Sequence, residues 1–132
     1  MKEVKQVIVM RVKYPDGKGG VTGVRAGKLI AQACHASMSF LTRQLQKSDK
    51  VKLSKAAQQW IEESFAKVCL QVDSEQELLD VYQKAIEVGL EAHLITDSGK
   101  TEFGGVPTKT CLALGPDYVD RFVPVTGHLK LY

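Results

Sequence analysis

The chain alternates between short runs of β-branched residues and longer segments whose apolar residues recur at helical spacing. The first run, residues 4–13 (VKQVIVMRVK), predicts a buried strand that emerges towards solvent at Arg11 and Lys13. A Pro-Asp-Gly sequence at 15–17 then ends the strand with turn residues. Strands that are separated by helices in this way predict an α/β layer fold rather than an all-helical or all-β one.

Three segments predict helices. The first covers residues 24–46, where a stripe of small and apolar residues at three- and four-residue steps is expected to pack on a sheet: Ile30, Ala33, Cys34, Ser37, Leu41 and Leu45. The second runs from a candidate N-cap, Ser54, to about Glu63, and the third follows an acidic first turn at 73–77 and ends at Gly89. The expected buried residues are Ala57, Trp60 and Ile61 in the second helix, and Leu78, Leu79, Tyr82, Ala85 and Ile86 in the third.

Further strands are predicted over residues 65–72, 92–96 and 110–114, which gives four in all. The resulting expectation is a single-domain α/β/α layer fold, residues 1–132, with a small mixed four-stranded sheet. A length of 132 residues suits one domain. No repeat or low-complexity linker divides the chain.

Composition excludes several classes of protein. Apolar residues make up 44% of the chain and charged residues 25%, which excludes a disordered tail or a coiled coil. No apolar run approaches the roughly 18–20 residues of a membrane helix, and the N-terminus lacks a secretory pattern. We therefore expect a cytoplasmic protein. Its three cysteines are then expected to be reduced, small core residues, and neither they nor the scattered histidines predict a metal site.

The charge is distributed unevenly along the chain. Residues 1–55 hold 12 Lys and Arg against 3 Asp and Glu, a balance of +9, whereas the remaining residues hold 6 against 12, a balance of −6. A basic half of this kind is suited to a polyanion such as nucleic acid, because neutralised phosphates release counterions. The alternative is an ordinary lysine-rich surface.

The densest polar cluster opens the first helix, at residues 25–36 (RAGKLIAQACHA). Lys28, Gln32 and His35 stand at i, i+4 and i+7, so their side chains share one face near the helix N-terminus. Unpaired N–H groups and the positive end of the helix dipole suit a phosphate or a developing oxyanion there. The alternative is that Lys28 and Gln32 are solvated and His35 is a hydrogen-bonded core residue. The spacing does not match a P-loop.

A second cluster follows the third strand, at residues 96–105 (TDSGKTEFGG). Asp97 and Thr101 flank a glycine turn, so that a carboxylate and a hydroxyl can converge on one water molecule. The alternative is an Asx-type turn in which Asp97 bonds its own backbone. A third segment, residues 125–132, is by itself a packed tail.

Taken together, these segments resemble the type II peptidyl-tRNA hydrolase family, the archaeal and eukaryotic kind, over nearly the whole chain. The motifs that carry the resemblance occur in order as GKxxAQxxHA (27–36), VDSExEL (72–78), DxGxT (97–101), AxGP (113–116) and GHLKL (127–131). The resemblance implies hydrolysis of the ester between a peptide and the 3′ end of tRNA, without metal or cofactor. The partner would be tRNA carrying a peptidyl or N-blocked aminoacyl group, and a homodimer is a further expectation.

The family's functional positions fall on Lys28, Gln32, His35, Asp97 and Thr101. Its second threonine matches Thr110 or Thr108, because the loop at 103–109 is not the usual proline-rich form. Our hypothesis is that Asp97 orients and deprotonates the water with help from Thr101, and that Lys28 stabilises the oxyanion or a nearby phosphate. Gln32 would hold the network, and His35 would support it from beneath in a crowded, poorly solvated position.

The family often carries a second lysine at the position of Arg25, where only phosphate contact is inferred. Lys18 and Lys100 are further candidate phosphate contacts. A tRNA path is expected along Lys13, Lys18, Arg25, Lys28 and the segment 43–55. Two alternatives stay open at this point: a non-catalytic module that binds tRNA or another partner, and a deacylase of unblocked aminoacyl-tRNA.

Overall fold

The computed structural model describes residues 2–100 and 103–132, and these residues form two sheets with helices packed around the larger one. In chain order the elements are β1 (Val4–Arg11), β2 (Tyr14–Pro15), β3 (Val21–Thr22), α1 (Ala26–Leu45), α2 (Lys55–Glu62), β4 (Lys67–Val72), α3 (Glu75–Glu87), β5 (Ala92–Asp97), β6 (Thr108–Tyr118), a 3-10 turn (Val119–Phe122), α4 (Val123–Thr126) and β7 (Lys130–Leu131). The fold is therefore the mixed α/β class that the sequence predicts.

The main sheet has five described strands in the order β5-β6-β1-β4-β7, rather than the four expected. β1 runs parallel to β4, while the β1/β6, β5/β6 and β4/β7 pairs are antiparallel. β2 and β3 form a separate two-stranded ribbon. The additional strand, β7, was not predicted because it has only two residues, too few to show an alternating apolar pattern.

Alternate residues of β1 feed two different cores, as the two-residue period of a strand requires. Val7 and Val9 pack with α3 and α4 on one face. Ile8 and Met10 pack with α1 on the other. A third cluster joins α1 to α2 around Phe40 and Trp60. The sheet is thus covered on both faces, in the α/β/α arrangement expected.

The predicted buried stripe of α1 is wrong for three of its six residues. Ile30 and Leu45 are 64% and 49% exposed, and Cys34 is exposed as well, whereas the buried residues of the helix are Gln32, Ala36, Ser39 and Phe40. Ala33 and Leu41 pack against the core clusters and Ser37 contacts Gln6, so the predicted stripe is turned only partly away from the buried face. The apolar pattern misleads here because α1 docks partly through hydrogen bonds.

The polar docking of α1 is visible at Ser37. Its Oγ donates to Gln6 Oε1 at 2.5 Å, and Gln6 Nε2 donates to the Ser37 carbonyl oxygen at 2.8 Å. Gln6 has no exposed surface. A buried amide whose groups are paired in this way anchors the helix without apolar contacts.

The other two helices begin where the sequence places them. Ser54 accepts a hydrogen bond from the Ala57 N–H, and Ser74 accepts one from the Glu77 N–H, so each caps its helix. Their predicted buried faces hold in part: Trp60 and Leu78 are buried, but Ile61 and Ile86 are 41% and 49% exposed. The sequence pattern overstated how far each apolar face wraps around its helix.

The cysteine prediction is also wrong for two of the three residues. Cys34 and Cys69 are exposed, and only Cys111 lies in the core. In the described part of the chain, no helix combines the length and the apolar character needed to cross a bilayer.

Candidate functional site

The site lies where the start of α1 meets the end of β5. Lys28 is in the first turn of α1, and Asp97 is the last residue of β5. The two elements are held together below the site by an apolar cluster in which Ala36 of α1 packs with Ile95 and Cys111 of the sheet. Residues 69 positions apart in the sequence are thereby brought into contact.

Lys28 and Asp97 form a direct ion pair. Lys28 Nζ lies 2.9 Å from Asp97 Oδ1, and the two side chains are only 12% and 10% exposed. Gln32 Nε2 lies 3.4 Å from the same carboxylate oxygen, and the Gly99 N–H donates to Oδ2 at 3.0 Å. The Asp97 carboxylate thus accepts hydrogen bonds from two side chains of α1, the Lys28 ammonium and the Gln32 amide, and from a backbone N–H of its own loop.

These donors control the protonation of Asp97. Burial by itself would raise the pKa of the carboxyl group, but the hydrogen bond and charge of Lys28, together with the Gly99 N–H, lower that pKa below 3.8. Asp97 is therefore an ionised acceptor at neutral pH. The hydrogen bond from the Gly99 N–H forms the Asx-type turn that the sequence offered as an alternative. Asp97 thus bonds its own backbone with one carboxylate oxygen and contacts Lys28 with the other.

Gln32 is oriented by Thr110. The Thr110 hydroxyl donates to Gln32 Oε1 at 2.7 Å, inside the fold. Because the ionised Asp97 can only accept, the amide nitrogen of Gln32 must face it, and the amide oxygen is left to face Thr110. Of the two threonines considered, Thr110 thus reaches the network, whereas the Thr108 hydroxyl donates to the Val106 carbonyl oxygen at 2.8 Å.

A close contact between two loops fixes the position of Asp97. Gly99 has φ +82°, and a side chain there would collide with the backbone of Val106. Only glycine accepts both the positive φ and this approach. The loop that carries Asp97 is therefore seated against the segment that leads into β6.

An aromatic wall beside the ion pair was not predicted. The Phe103 ring lies 5.9 Å from Lys28 Nζ and 4.9 Å from the Tyr14 ring, and the Arg11 guanidinium stacks over Tyr14 at 4.3 Å. These side chains, with the β2–β3 ribbon and the segment 103–109, line a cavity of about 620 Å³. No sequence signal joined them, because they come from the end of β1, from β2 and from a loop, and no motif connects these segments.

Burial keeps the Tyr14 hydroxyl and the Cys111 thiol protonated. It raises the pKa of Tyr14 to about 12, against a lowering effect of Arg11, and the Tyr14 hydroxyl donates to the Arg11 carbonyl oxygen at 3.2 Å. It also raises the pKa of Cys111 to about 12. Although the Cys111 thiol lies 3.3 Å from the Gln32 carbonyl oxygen, it is therefore unsuited to act as a nucleophile.

The structure does not place His35 in the network. It is exposed, so the crowded, poorly solvated position expected for it is wrong. A seven-residue step turns a helix by about 700°, so His35 lies on the same side of α1 as Lys28 but two turns further along, where its ring is exposed. The small residues that flank His35 in the sequence do not shield its imidazole ring from solvent.

The remaining predicted cations are exposed. Arg25 immediately precedes α1, Lys100 is exposed beyond Gly99, and Lys18 lies in the β2–β3 turn, where its N–H donates to Asp16 Oδ1 at 2.7 Å. Thr101 lies outside the described residues. In the described ranges, no group of three or more His, Cys, Asp or Glu residues is arranged to hold a metal ion.

The arrangement can serve acyl-transfer chemistry. It joins an ionised carboxylate, which can orient a water molecule and accept a proton, to an ammonium that can stabilise negative charge, next to an aromatic-walled cavity. Both charged groups are largely withdrawn from solvent, which strengthens their electrostatic effect on a bound substrate.

Comparison with known proteins identifies relatives along the whole chain. A sequence model of the family described as Peptidyl-tRNA hydrolase PTH2 matches residues 4–132. A peptidyl-tRNA hydrolase of Nanoarchaeum equitans is 40% identical over 129 residues, covering 98% of this chain and 99% of that protein. One of Methanothermobacter thermautotrophicus is 37% identical, covering 97% and 99%.

Two further matches differ in what they support. A probable peptidyl-tRNA hydrolase 2 of Dictyostelium discoideum is 38% identical. The match covers 98% of this chain but only 55% of the length of the Dictyostelium protein. A solved structure of an Agrobacterium protein of unknown function aligns with a TM-score of 0.50 at 11% identity, covering 100% of this chain and 99% of that one. The latter likeness concerns the fold alone.

Proposed function

Because this chain belongs to the peptidyl-tRNA hydrolase PTH2 family, we propose that it hydrolyses the ester between a peptide, or an N-blocked amino acid, and the 3′ end of tRNA. The products are free tRNA and a peptide with a free carboxylate. The observation that carries the site assignment is the largely buried Lys28–Asp97 pair, 2.9 Å apart at the start of α1 and the end of β5. It supplies an acceptor for the proton of water and a cation for the oxyanion.

In the proposed reaction, Asp97 orients a water molecule towards the ester carbonyl carbon. As the water oxygen forms its bond to that carbon, its proton passes to the Asp97 carboxylate and the carbonyl oxygen becomes an oxyanion. The Lys28 ammonium stabilises this oxyanion. Collapse of the tetrahedral intermediate breaks the bond to the ribose 3′-oxygen, which takes up the proton held by Asp97.

The lowered pKa of Asp97 makes its carboxylate a weak base in the unliganded protein. The main cause of the lowering is Lys28, and substrate would draw this ammonium towards the developing oxyanion. Asp97 then gains basicity in the step that needs it. Gln32, held by Thr110, keeps the carboxylate in place while Lys28 shifts.

The other predicted residues divide between substrate contact and support. We assign contacts with phosphates of the acceptor end to Arg25, Lys18 and Lys100, because all three are exposed cations and Arg25 and Lys100 stand three residues from Lys28 and Asp97. Thr101 keeps its sequence-based role of positioning the water. The cytoplasmic location and the homodimer implied by the family stay predictions, and light scattering of the purified protein tests the latter.

The function is tested with a model substrate. The protein is incubated with N-acetyl-aminoacyl-tRNA without added metal, and free tRNA is measured over time, in parallel with the same tRNA bearing an unblocked amino acid. The proposal predicts rapid release from the blocked substrate and slow release from the unblocked one. Retention of the blocked substrate without cleavage would instead indicate a binding module, and preference for the unblocked one a deacylase.

A further inference from the structure

A basic groove lies at the other end of α1, away from the Lys28–Asp97 pair. It is a cavity of about 620 Å³ between the C-terminal turns of α1, the segment that leads into α2 and the start of β5. Arg43, Lys47 and Lys52 supply its positive charge, and Ser54 and His93 lie on its wall. We refer to these five residues as the distal groove.

Arg43 is held rigidly in the distal groove. One of its guanidinium nitrogens lies 3.0 Å from His93 Nδ1, and the other donates to the Leu94 carbonyl oxygen at 2.7 Å. Because a guanidinium can only donate, Nδ1 of His93 must be the acceptor, and Nε2–H then donates to the Glu91 carboxylate at 2.7 Å. This chain of contacts orients a planar cation among the residues that line the groove.

The surroundings of the distal groove favour an anion. Residues 43–55 contain five basic side chains and one acidic one, Asp49. Lys47 and Lys52 are exposed. The groove also borders the N-terminus of α2, the positive end of its dipole, which Ser54 caps. Glu91 is the one carboxylate among the described residues that line the groove, and it is bonded to His93.

The distance to the site suits a single extended ligand. Lys28 and Arg43 are 15 residues apart on one continuous helix, which corresponds to roughly 22 Å at 1.5 Å per residue. A stacked nucleic-acid strand rises by about 3.4 Å per nucleotide, so this separation spans on the order of six nucleotides. A strand whose 3′ end lies at Lys28 can therefore carry backbone phosphates as far as the distal groove.

We infer that the distal groove binds backbone phosphates of the tRNA acceptor arm and so positions the esterified 3′ end at Lys28 and Asp97. This inference rests on the proposed function and extends it to a second contact region. The contact is to phosphates rather than to base edges, so it adds affinity without dependence on sequence. Lys47 and Lys52 act as positioning residues, remote from the reacting atoms.

The test combines a change in the groove with a change in substrate length. The Lys47→Ala/Lys52→Ala double variant is compared with Lys84→Ala, which removes an exposed charge from α3 on the opposite face of the sheet. Each protein is assayed on N-acetyl-aminoacyl-tRNA and on the same acyl-amino acid esterified to a 3′-terminal trinucleotide, which is too short to reach the groove.

For the double variant we expect kcat/KM on full tRNA to fall about tenfold, mainly through KM, with no change on the trinucleotide ester. The slope of log(kcat/KM) against log salt should become shallower by about 2, one for each lysine that no longer neutralises a phosphate. Lys84→Ala should match the wild type on both substrates.

Equal effects of the double variant on both substrates, or no effect on tRNA, would overturn the inference while the proposed function stands. Failure of the wild-type protein to cleave either substrate would overturn both.

Discussion

The Lys28–Asp97 pair should couple measurably in the stability of the fold. At 2.9 Å, opposite unit charges attract by about 1.4 kcal/mol in the dielectric of water and by about 5.7 kcal/mol at an effective constant of 20. With side chains only 12% and 10% exposed, the pair lies between these limits, and desolvation opposes the attraction. We therefore expect a net coupling of about 1–3 kcal/mol.

This coupling is measurable by a double-mutant cycle. Lys28→Met, Asp97→Asn and the double variant are unfolded in urea, with fluorescence of Trp60 as the signal, because Trp60 is the only tryptophan of the chain and is 2% exposed. Each single variant removes an opposite charge from beside a largely buried one, so each should lose stability, and the double variant should lose less than the sum. Activity should show no such recovery. A coupling energy below about 0.3 kcal/mol would refute the argument that the pair is a desolvated contact.

Four further outcomes follow from the same geometry. Thr110→Val leaves Gln32 Oε1 without its donor, so unfolding experiments should show a loss of about 1–3 kcal/mol, and turnover should fall as well; full stability would contradict the assigned bond. Gly99→Ala introduces a clash with Val106 and a strained φ, and is expected to lower turnover by moving Asp97, whereas a wild-type rate would show that the loop contact is dispensable. His35→Ala should change turnover by no more than about twofold, because the ring is exposed; a hundredfold loss would restore a catalytic role to His35. The folded-state pKa of Asp97 is lowered below its unfolded value of 3.8, so its contribution to the free energy of unfolding is complete above pH 3.8 and disappears as the pH falls through the folded pKa. Asp97→Asn should therefore flatten the dependence of the free energy of unfolding on pH below about pH 4. An unchanged dependence would exclude Asp97 as its source.

The parts of the fold that depend on local chemistry could be predicted from the sequence. Ser54 and Ser74 are recognisable N-caps because their hydroxyls precede helical spacing, and β1 is recognisable from its β-branched run. The buried face of α1 could not be predicted, because Gln32 and Ser37 face inwards through hydrogen bonds to Thr110 and Gln6, which are distant in the sequence. The spacing of apolar residues identifies the buried face of a helix only where that face packs through apolar contacts.

The site divides in the same way. Lys28 and Asp97 could be predicted as partners because each stands at the end of an element, where α/β folds gather polar groups. Arg11, Tyr14 and Phe103 could not, since their contacts depend on how β2 and the loop at Phe103 meet beside the end of β1. His35 shares its side of α1 with Lys28, as the seven-residue step predicts, but it lies two turns further along the helix, and the sequence did not reveal that the ring there is exposed.

The most direct measurement is the single-turnover rate constant for release of tRNA from N-acetyl-aminoacyl-tRNA at saturating protein. It is compared between the wild type, Asp97→Asn and Lys28→Met, with circular dichroism as the control for folding. Loss of the proton acceptor or of the oxyanion donor is each expected to lower the rate constant on the order of 100-fold while tRNA is still bound. A folded Asp97→Asn protein that cleaves at the wild-type rate would contradict the assignment of the reaction to this ion pair.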